Sequence, residues 1–260
     1  MSSEPLYNPA LFETGRWDEG LNPKERQRIE AIKDSIPEGI ERIVDIGCGD
    51  GRLAHLLAAA GYQVTGVDQS PTALERVRVE KVLCSADQLP FSDRQFDLAI
   101  CAEVIEHLPE PLFSDTLKEL ARVASQVVIT VPYKEEVNAY PVRCPQCKTA
   151  FNSWGHLHSF DETRMRGLLP GCVEIRHIPS TRRYYHPVLR HLTFNVLKRS
   201  FYTPHCVCPS CGNRDFESVR VDYVRKAIGG LNQLITRNRE IPGGWILGRF
   251  NTSDASSLLS

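Results

Sequence analysis

Three features of the sequence predict an α/β fold built on a doubly wound parallel sheet. A β-branched apolar run, Ile43-Val44-Asp45-Ile46, enters a glycine-spaced turn, Gly47-Cys48-Gly49-Asp50-Gly51. Short apolar strands then alternate with helix-period segments as far as Val131, the pattern that stacks parallel strands between helices. Acidic residues fall where strands end, the edge at which such sheets bind ligands.

Taken in order, 21–36 carries polar helix formers anchored by Ile29 and Ile32, after an aromatic-rich segment from Tyr7 to Trp17. The first strand leads through the turn to a helix over 52–60, with Leu53, Leu56, Leu57 and Ala60 on one face. A second strand, 63–67, ends in Asp68, whose carboxylate can accept two hydroxyl hydrogens. Ser70-Pro71 starts the next helix, with Ser as N-cap and Pro at the first helical position, and that helix is expected to run to about Arg78. Strands three to five are expected at 81–85, 96–101 and 126–131, with a helix over 112–123 before the last.

The glycines at 47, 49 and 51 allow close approach of a ligand to backbone, and the N–H groups of the following helix start suit polar or anionic groups. A dinucleotide fingerprint would need a third glycine at position 52, which is Arg52, so that motif is absent. The string Val44 to Gly51 instead resembles the first motif of the class I S-adenosylmethionine-dependent methyltransferases. Ala86-Asp87-Gln88-Leu89-Pro90-Phe91 resembles their adenine-recognising segment, and Ala102-Glu103-Val104-Ile105-Glu106-His107-Leu108 the end of their fourth strand, beside the methyl donor.

The resemblance implies a Rossmann-like seven-stranded sheet and a cofactor, S-adenosylmethionine, held by Asp45, Gly47, Gly49, Gly51, Asp68, Gln69, Asp87, Gln88 and Glu103. It implies a core domain over 37–139 and an N-terminal segment, 1–36, that folds over the cofactor through Arg16 and Trp17. Family topology pairs a sixth strand, 173–178 within a return segment 160–178, with a seventh in 244–251, as an antiparallel hairpin. A long insertion, 179–243, separates them. Cys101 to Val104 stands where amino-group methyltransferases carry Asn/Asp-Pro-Pro-aromatic, which counts against that class of acceptor.

Past Tyr133 the alternation stops. Cys144-Pro145-Gln146-Cys147 and Cys208-Pro209-Ser210-Cys211 each present two thiolates from a tight turn, as structural zinc sites do. Four thiolates from Cys144, Cys147, Cys208 and Cys211 would staple the first knuckle, 140–159, to the insertion. Alternative sets put Cys206, His205, His156 or His158 in place of one cysteine, and four free thiols are the non-metal alternative. Ser159 and Glu162 read as a capping box for a helix to about Leu169, and 252–260 as a disordered tail.

At 260 residues with a net charge of -1, the chain has no global attraction for nucleic acid or acidic membranes. It lacks a signal-like N-terminus and any long apolar span, so a soluble cytoplasmic protein is expected. The insertion carries Arg182, Arg183, Tyr184, Tyr185, His186, Arg190, His191, Lys198 and Arg199, a mixture suited to an anionic substrate, a sugar nucleotide or RNA. The expected reaction is methyl transfer to a hydroxyl of a sugar or small metabolite, with His107 and His156 as candidate bases. An RNA methyltransferase that docks through the zinc-bearing insertion and a non-catalytic cofactor- or zinc-binding scaffold are the alternatives.

Overall fold

The computed structural model describes residues 20–139, 141–200, 206–220 and 222–253. Arg16, Trp17, His205 and the tail beyond 253 lie outside them. Helix α1 (Pro23–Asp34) opens with a capping box in which Asn22 and Glu25 satisfy each other's backbone N–H groups. Strand β1 (Arg42–Ile46) leads to α2 (Arg52–Ala59), then β2 (Gln63–Asp68), α3 (Pro71–Leu74), β3 (Glu80–Leu83) and β4 (Phe96–Ala102). A 3-10 turn, Ile105–His107, precedes α4 (Glu110–Val123) and β5 (Ala124–Pro132).

A small hairpin, β6 (Pro141–Arg143) and β7 (Ala150–Asn152), carries the first cysteine pair between its strands. After α5 (Glu162–Arg166), the long strand β8 (Cys172–Arg183) enters the excursion that holds α6 (Pro187–His191), a wider π turn (Leu192–Val196), α7 (Glu217–Arg220) and α8 (Tyr223–Thr236). Strand β9 (Glu240–Asn251) returns to the sheet.

The main sheet has the order β3-β2-β1-β4-β5-β9-β8. Its first five strands are parallel, while β9 runs antiparallel to both β5 and β8. Side chains alternate between two cores because successive strand residues point to opposite faces. Ile43, Leu98, Ile100 and Val128 pack with Ile32 of α1 and Leu57 of α2. Val44, Ala99, Val127 and Ile129 pack with Leu120 of α4 and Met165 of α5. Both faces are covered, so the strands read as near-continuous apolar runs.

Several boundaries differ from the sequence-based expectation. Helix α3 stops at Leu74 rather than at Arg78, and β3 begins at Glu80 and ends at Leu83. The expected capping box at Ser159 is not used, because Asp161 caps α5 by accepting the Arg164 N–H at 2.8 Å. Phe160 is instead fully buried in an extended segment bridged to Tyr133, and α5 ends at Arg166 rather than Leu169.

Strands β8 and β9 pair from Cys172↔Phe250 to Arg183↔Glu240, while β5 covers β9 only from Trp245 onward. The two strands therefore overhang the sheet as a ribbon, and 179–183 and 240–243 are strand rather than insertion. The overhang reads Pro179-Ser180-Thr181-Arg182-Arg183 and Glu240-Ile241-Pro242-Gly243, polar and broken by proline and glycine, which left it without an apolar strand signal.

Ile100 lies in the centre of the sheet with no solvent exposure. Ile100→Ala is expected to lower the unfolding free energy by about 2–5 kcal/mol in urea titration.

Candidate active site and four-cysteine cluster

The turn after β1 is bent back over β2: the Val67 carbonyl accepts the N–H groups of Gly47 at 2.7 Å and Cys48 at 2.9 Å. Gly47 has φ +71°, and a Cβ there would meet Val104 Cγ2 at 2.3 Å, so no other residue fits without displacing the segment after β4. Gly51 starts α2 in the left-handed conformation with no side-chain cap. Asp68 braces the turn, one carboxylate oxygen accepting from Gly49 N and the other from Ser70 N, both at 2.8 Å.

The turn and Asp68 border a cavity of about 1150 Å³, whose wall does not include Gly51. A single small-molecule site usually occupies about 300–1,000 Å³, so there is room for two ligands side by side. Asp45, Gly47, Gly49, Asp68 and Gln69 line one end. From the next loop, Ser85 and Ala86 reach the wall rather than Asp87 and Gln88, and Asp87 accepts the Ser85 hydroxyl. Glu103 also borders the cavity, with φ +60°, and is engaged by Trp245 Nε1 at 2.7 Å and by Arg28 at 3.2 Å.

Asp45 is 2 % exposed and its Oδ2 has no hydrogen-bond partner. Burial, with the neighbouring Asp68 charge, pushes its pKa up to about 7, although Arg28 opposes the shift. Arg28 was not singled out from the sequence. It is half-buried near Glu106, Glu25 and Asp45, and desolvation lowers its pKa. Its only sequence signal is its position beside Ile29 and four residues before Ile32, at the margin of the helix face that packs inward.

The two histidines proposed as bases border the same cavity. They come from distant stretches, yet their rings stand 4.7 Å apart. The connection is backbone: the Glu106 carbonyl accepts from Leu157 N at 2.7 Å, tying the loop that carries His156 to the 3-10 turn that carries His107. Glu135, a residue beyond β5 that the sequence reading did not use, bonds His156 Nδ1. Glu106 is fully buried with both carboxylate oxygens lacking a hydrogen-bond partner. Burial pushes its pKa up to about 7 against the attraction of His156. His158 plays a structural part, with Nε2 on the Leu108 carbonyl at 2.7 Å and its ring against Phe113.

The roof over the cavity comes from the ribbon and the excursion: Arg182, Arg183, Tyr185, Arg225, Lys226 and the Gly229-Gly230 step of α8.

Beyond the sheet, the four sulfurs of Cys144, Cys147, Cys208 and Cys211 lie within 4.8 Å of one another. Cys144 and Cys211 are 3.6 Å apart and Cys147 and Cys208 are 3.5 Å apart, much longer than the roughly 2.05 Å of a disulfide. They sit against a small separate core that includes Val142, Phe151, Phe216 and Val219. Cys206 is buried there too, but its thiol faces the Ser153 carbonyl, and His156 and His158 belong to the cavity side.

The "Methyltransferase domain" family matches residues 44–127. The ubiquinone biosynthesis O-methyltransferase of Xylella fastidiosa (strain 9a5c) is 30% identical over 120 residues, covering 39% of this chain and 48% of that protein. The matched region thus spans about half the length of that curated relative. A solved structure from Bacillus halodurans C-125, described as a methyltransferase, has a TM-score of 0.53 at 16% identity over 86% of this chain and 97% of that one. An S-adenosylmethionine-dependent methyltransferase from Methanosarcina mazei has a TM-score of 0.50 at 16% identity, over 89% and 99% of the two chains.

The strand order and the matched segment define the class I methyltransferase fold. The chain thus carries a methyltransferase-type fold, and its residues 44–127 match a methyltransferase domain. Among the described residues, no helix is long and apolar enough to cross a membrane.

An acid whose pKa rises on folding keeps its proton in the native state while the unfolded chain gives it up. Asp45 therefore contributes a loss of stability as pH rises from 3.8 to about 7, amounting to about 4 kcal/mol across the window. Asp45→Asn is expected to flatten that part of the stability–pH curve, measured by urea unfolding at pH steps. An unchanged slope would contradict the buried-acid account.

Proposed function

We propose that this chain transfers the methyl group of S-adenosylmethionine to a hydroxyl of a small-molecule acceptor. One observation carries the reading: the glycine turn and Asp68 border the same cavity as the His107–His156 pair. The curated relative's name supports oxygen as the acceptor atom. The polar and cationic roof, with Arg182, Arg183 and Tyr185, supports a sugar or a comparably polar metabolite.

The residues present fit the cofactor. Asp45 offers a buried carboxylate oxygen without a partner to a cationic amino group, Asp68 offers acceptors to a ribose, and Gly47 keeps the intervening wall free of side chain. Bound there, S-adenosylmethionine supplies a sulfonium-activated methyl, whose carbon–sulfur bond electrons stay on sulfur as an acceptor oxygen bonds to carbon. Orienting the two reactants in one cavity can contribute up to about 7–11 kcal/mol. His107 and His156 are the imidazoles in that wall, and they take charge of the acceptor's proton. Glu135 is acceptor-only as a carboxylate, which assigns the Nδ1 proton to His156 and fixes the ring's orientation.

We propose further that the four cysteines hold a structural zinc ion. Zinc–sulfur bonds of about 2.3 Å in a tetrahedron leave sulfurs about 3.8 Å apart, close to the two separations found here. The separate core behind them is small, and a metal would supply folding energy that it lacks.

Calorimetry is expected to show S-adenosylhomocysteine binding that weakens roughly 10- to 100-fold in Asp68→Ala. His156→Ala is expected to keep that affinity while kcat falls by about a hundred- to ten-thousandfold, once an acceptor is found by screening. Equal cofactor affinity in Asp68→Ala would overturn the ribose assignment. Metal analysis is expected to find one zinc per chain held by these sulfurs, lost in Cys208→Ser with a lowered Tm, and a parent protein without it would remove the zinc.

A further inference from the structure

The proton-handling role given to the histidines leaves Glu106 unexplained. Its carboxylate has no solvent exposure and no hydrogen-bond partner on either oxygen. A buried polar group in that condition carries a large desolvation cost, normally offset by a partner. One carboxylate oxygen of Glu106 and one ring nitrogen each of His107 and His156 lie within 4.8 Å of one another. Two imidazoles and one carboxylate form a donor set suited to a borderline divalent ion such as zinc or iron, with further positions left for water or substrate.

The surroundings agree with that use. His156 Nδ1 bonds Glu135, which orients the ring. A carboxylate behind a ligating histidine is the usual support of metal-bound imidazole, fixing its tautomer and raising its basicity. His107 and His156 border the cavity whereas Glu106 stands behind them, so an ion held by all three would be open on the cavity side. Arg28 is near enough to interact with Glu106 and opposes a cation. Its own pairing with Glu103 at 3.2 Å and the second carboxylate at Glu135 offset that charge.

We propose that Glu106, His107 and His156 bind a divalent metal ion at the acceptor end of the cavity, separate from the four-cysteine site. An acceptor hydroxyl on that ion becomes more acidic. When its O–H bond breaks, the electron pair stays on oxygen and the proton passes to water at the cavity mouth. In this state His156 serves as ligand, with Glu135 as its positioning residue. Use of the ion in catalysis rests on the methyl-transfer reading, but its binding does not.

The test uses the full chain, with metal carried at the four sulfurs counted first, then titrated with Co2+ by calorimetry and visible absorption. One further Co2+ per chain is expected, showing the visible bands of nitrogen and oxygen ligation without a sulfur-to-cobalt band. Glu106→Gln and His156→Ala are expected to weaken that binding at least about a hundredfold, and Glu135→Gln by about 10- to 100-fold. Glu110→Gln, at an exposed carboxylate, is expected to leave it unchanged. No uptake beyond the sulfur site, or unchanged uptake in Glu106→Gln, overturns the proposal and leaves a proton as the occupant. S-adenosylhomocysteine affinity on the same samples reports the fold of each variant and tests the methyl-transfer reading independently. Cobalt binding without cofactor binding would sink that reading while the metal site stood.

Discussion

The double hydrogen bond onto the Val67 carbonyl is the constraint on which the site depends. It pulls Gly47 and Cys48 across the end of β2 and sets where the loop turns toward α2. The same bend presses Gly47 onto Val104, so the ends of β1, β2 and β4 meet at one point with almost no side-chain bulk between them. Register makes the meeting reproducible: Asp45 is opposite Gly66 in β2 and Ile100 in β4, both small or apolar neighbours that let the strand lie flat. A shift of one residue would exchange the two cores and turn Asp45 away, a change that complete burial on both faces forbids.

Charge at this point is balanced poorly by ordinary standards. Asp45 and Glu106 are buried, and Arg28 is the cation that the described structure places near both. Stability alone would favour replacing such groups with apolar residues of similar size. Their cost becomes intelligible if the cavity is built for charged occupants that complete the balance when they arrive. A cation beside Asp45 and one beside Glu106 would each meet a carboxylate oxygen without a partner.

Much of this arrangement was legible in the sequence, and the reason is locality. The glycine turn, Asp68 and the five parallel strands are short-range patterns, and strict alternation left few registers open. His107 and His156 were both singled out, but their contact was not, because it depends on a backbone hydrogen bond between segments about 50 residues apart in sequence. Glu135 and Arg28 escaped for a related reason: each looks like a solvated charge on its own element and gains its meaning only from what packs opposite. The overhanging ribbon was missed because its polar, proline- and glycine-bearing residues pair through backbone without any apolar alternation.

The four cysteines bear on the acceptor end through the fold rather than through contact. Their small core joins the β6–β7 hairpin to the middle of the excursion, just before the helix α8 that borders the cavity. Asn232 of α8 is buried and bridges back to the ribbon, accepting from His186 N at 2.8 Å and donating to the Tyr184 carbonyl at 3.0 Å. The roof is thus pinned at the ribbon by hydrogen bonds, and the cysteine-bearing core precedes α8 along the chain. Weakening the core would loosen the acceptor wall, while the glycine turn and Asp68, held inside the parallel sheet, would keep their geometry. Such division lets the excursion change to suit an acceptor without disturbing the end of the cavity that the parallel strands build.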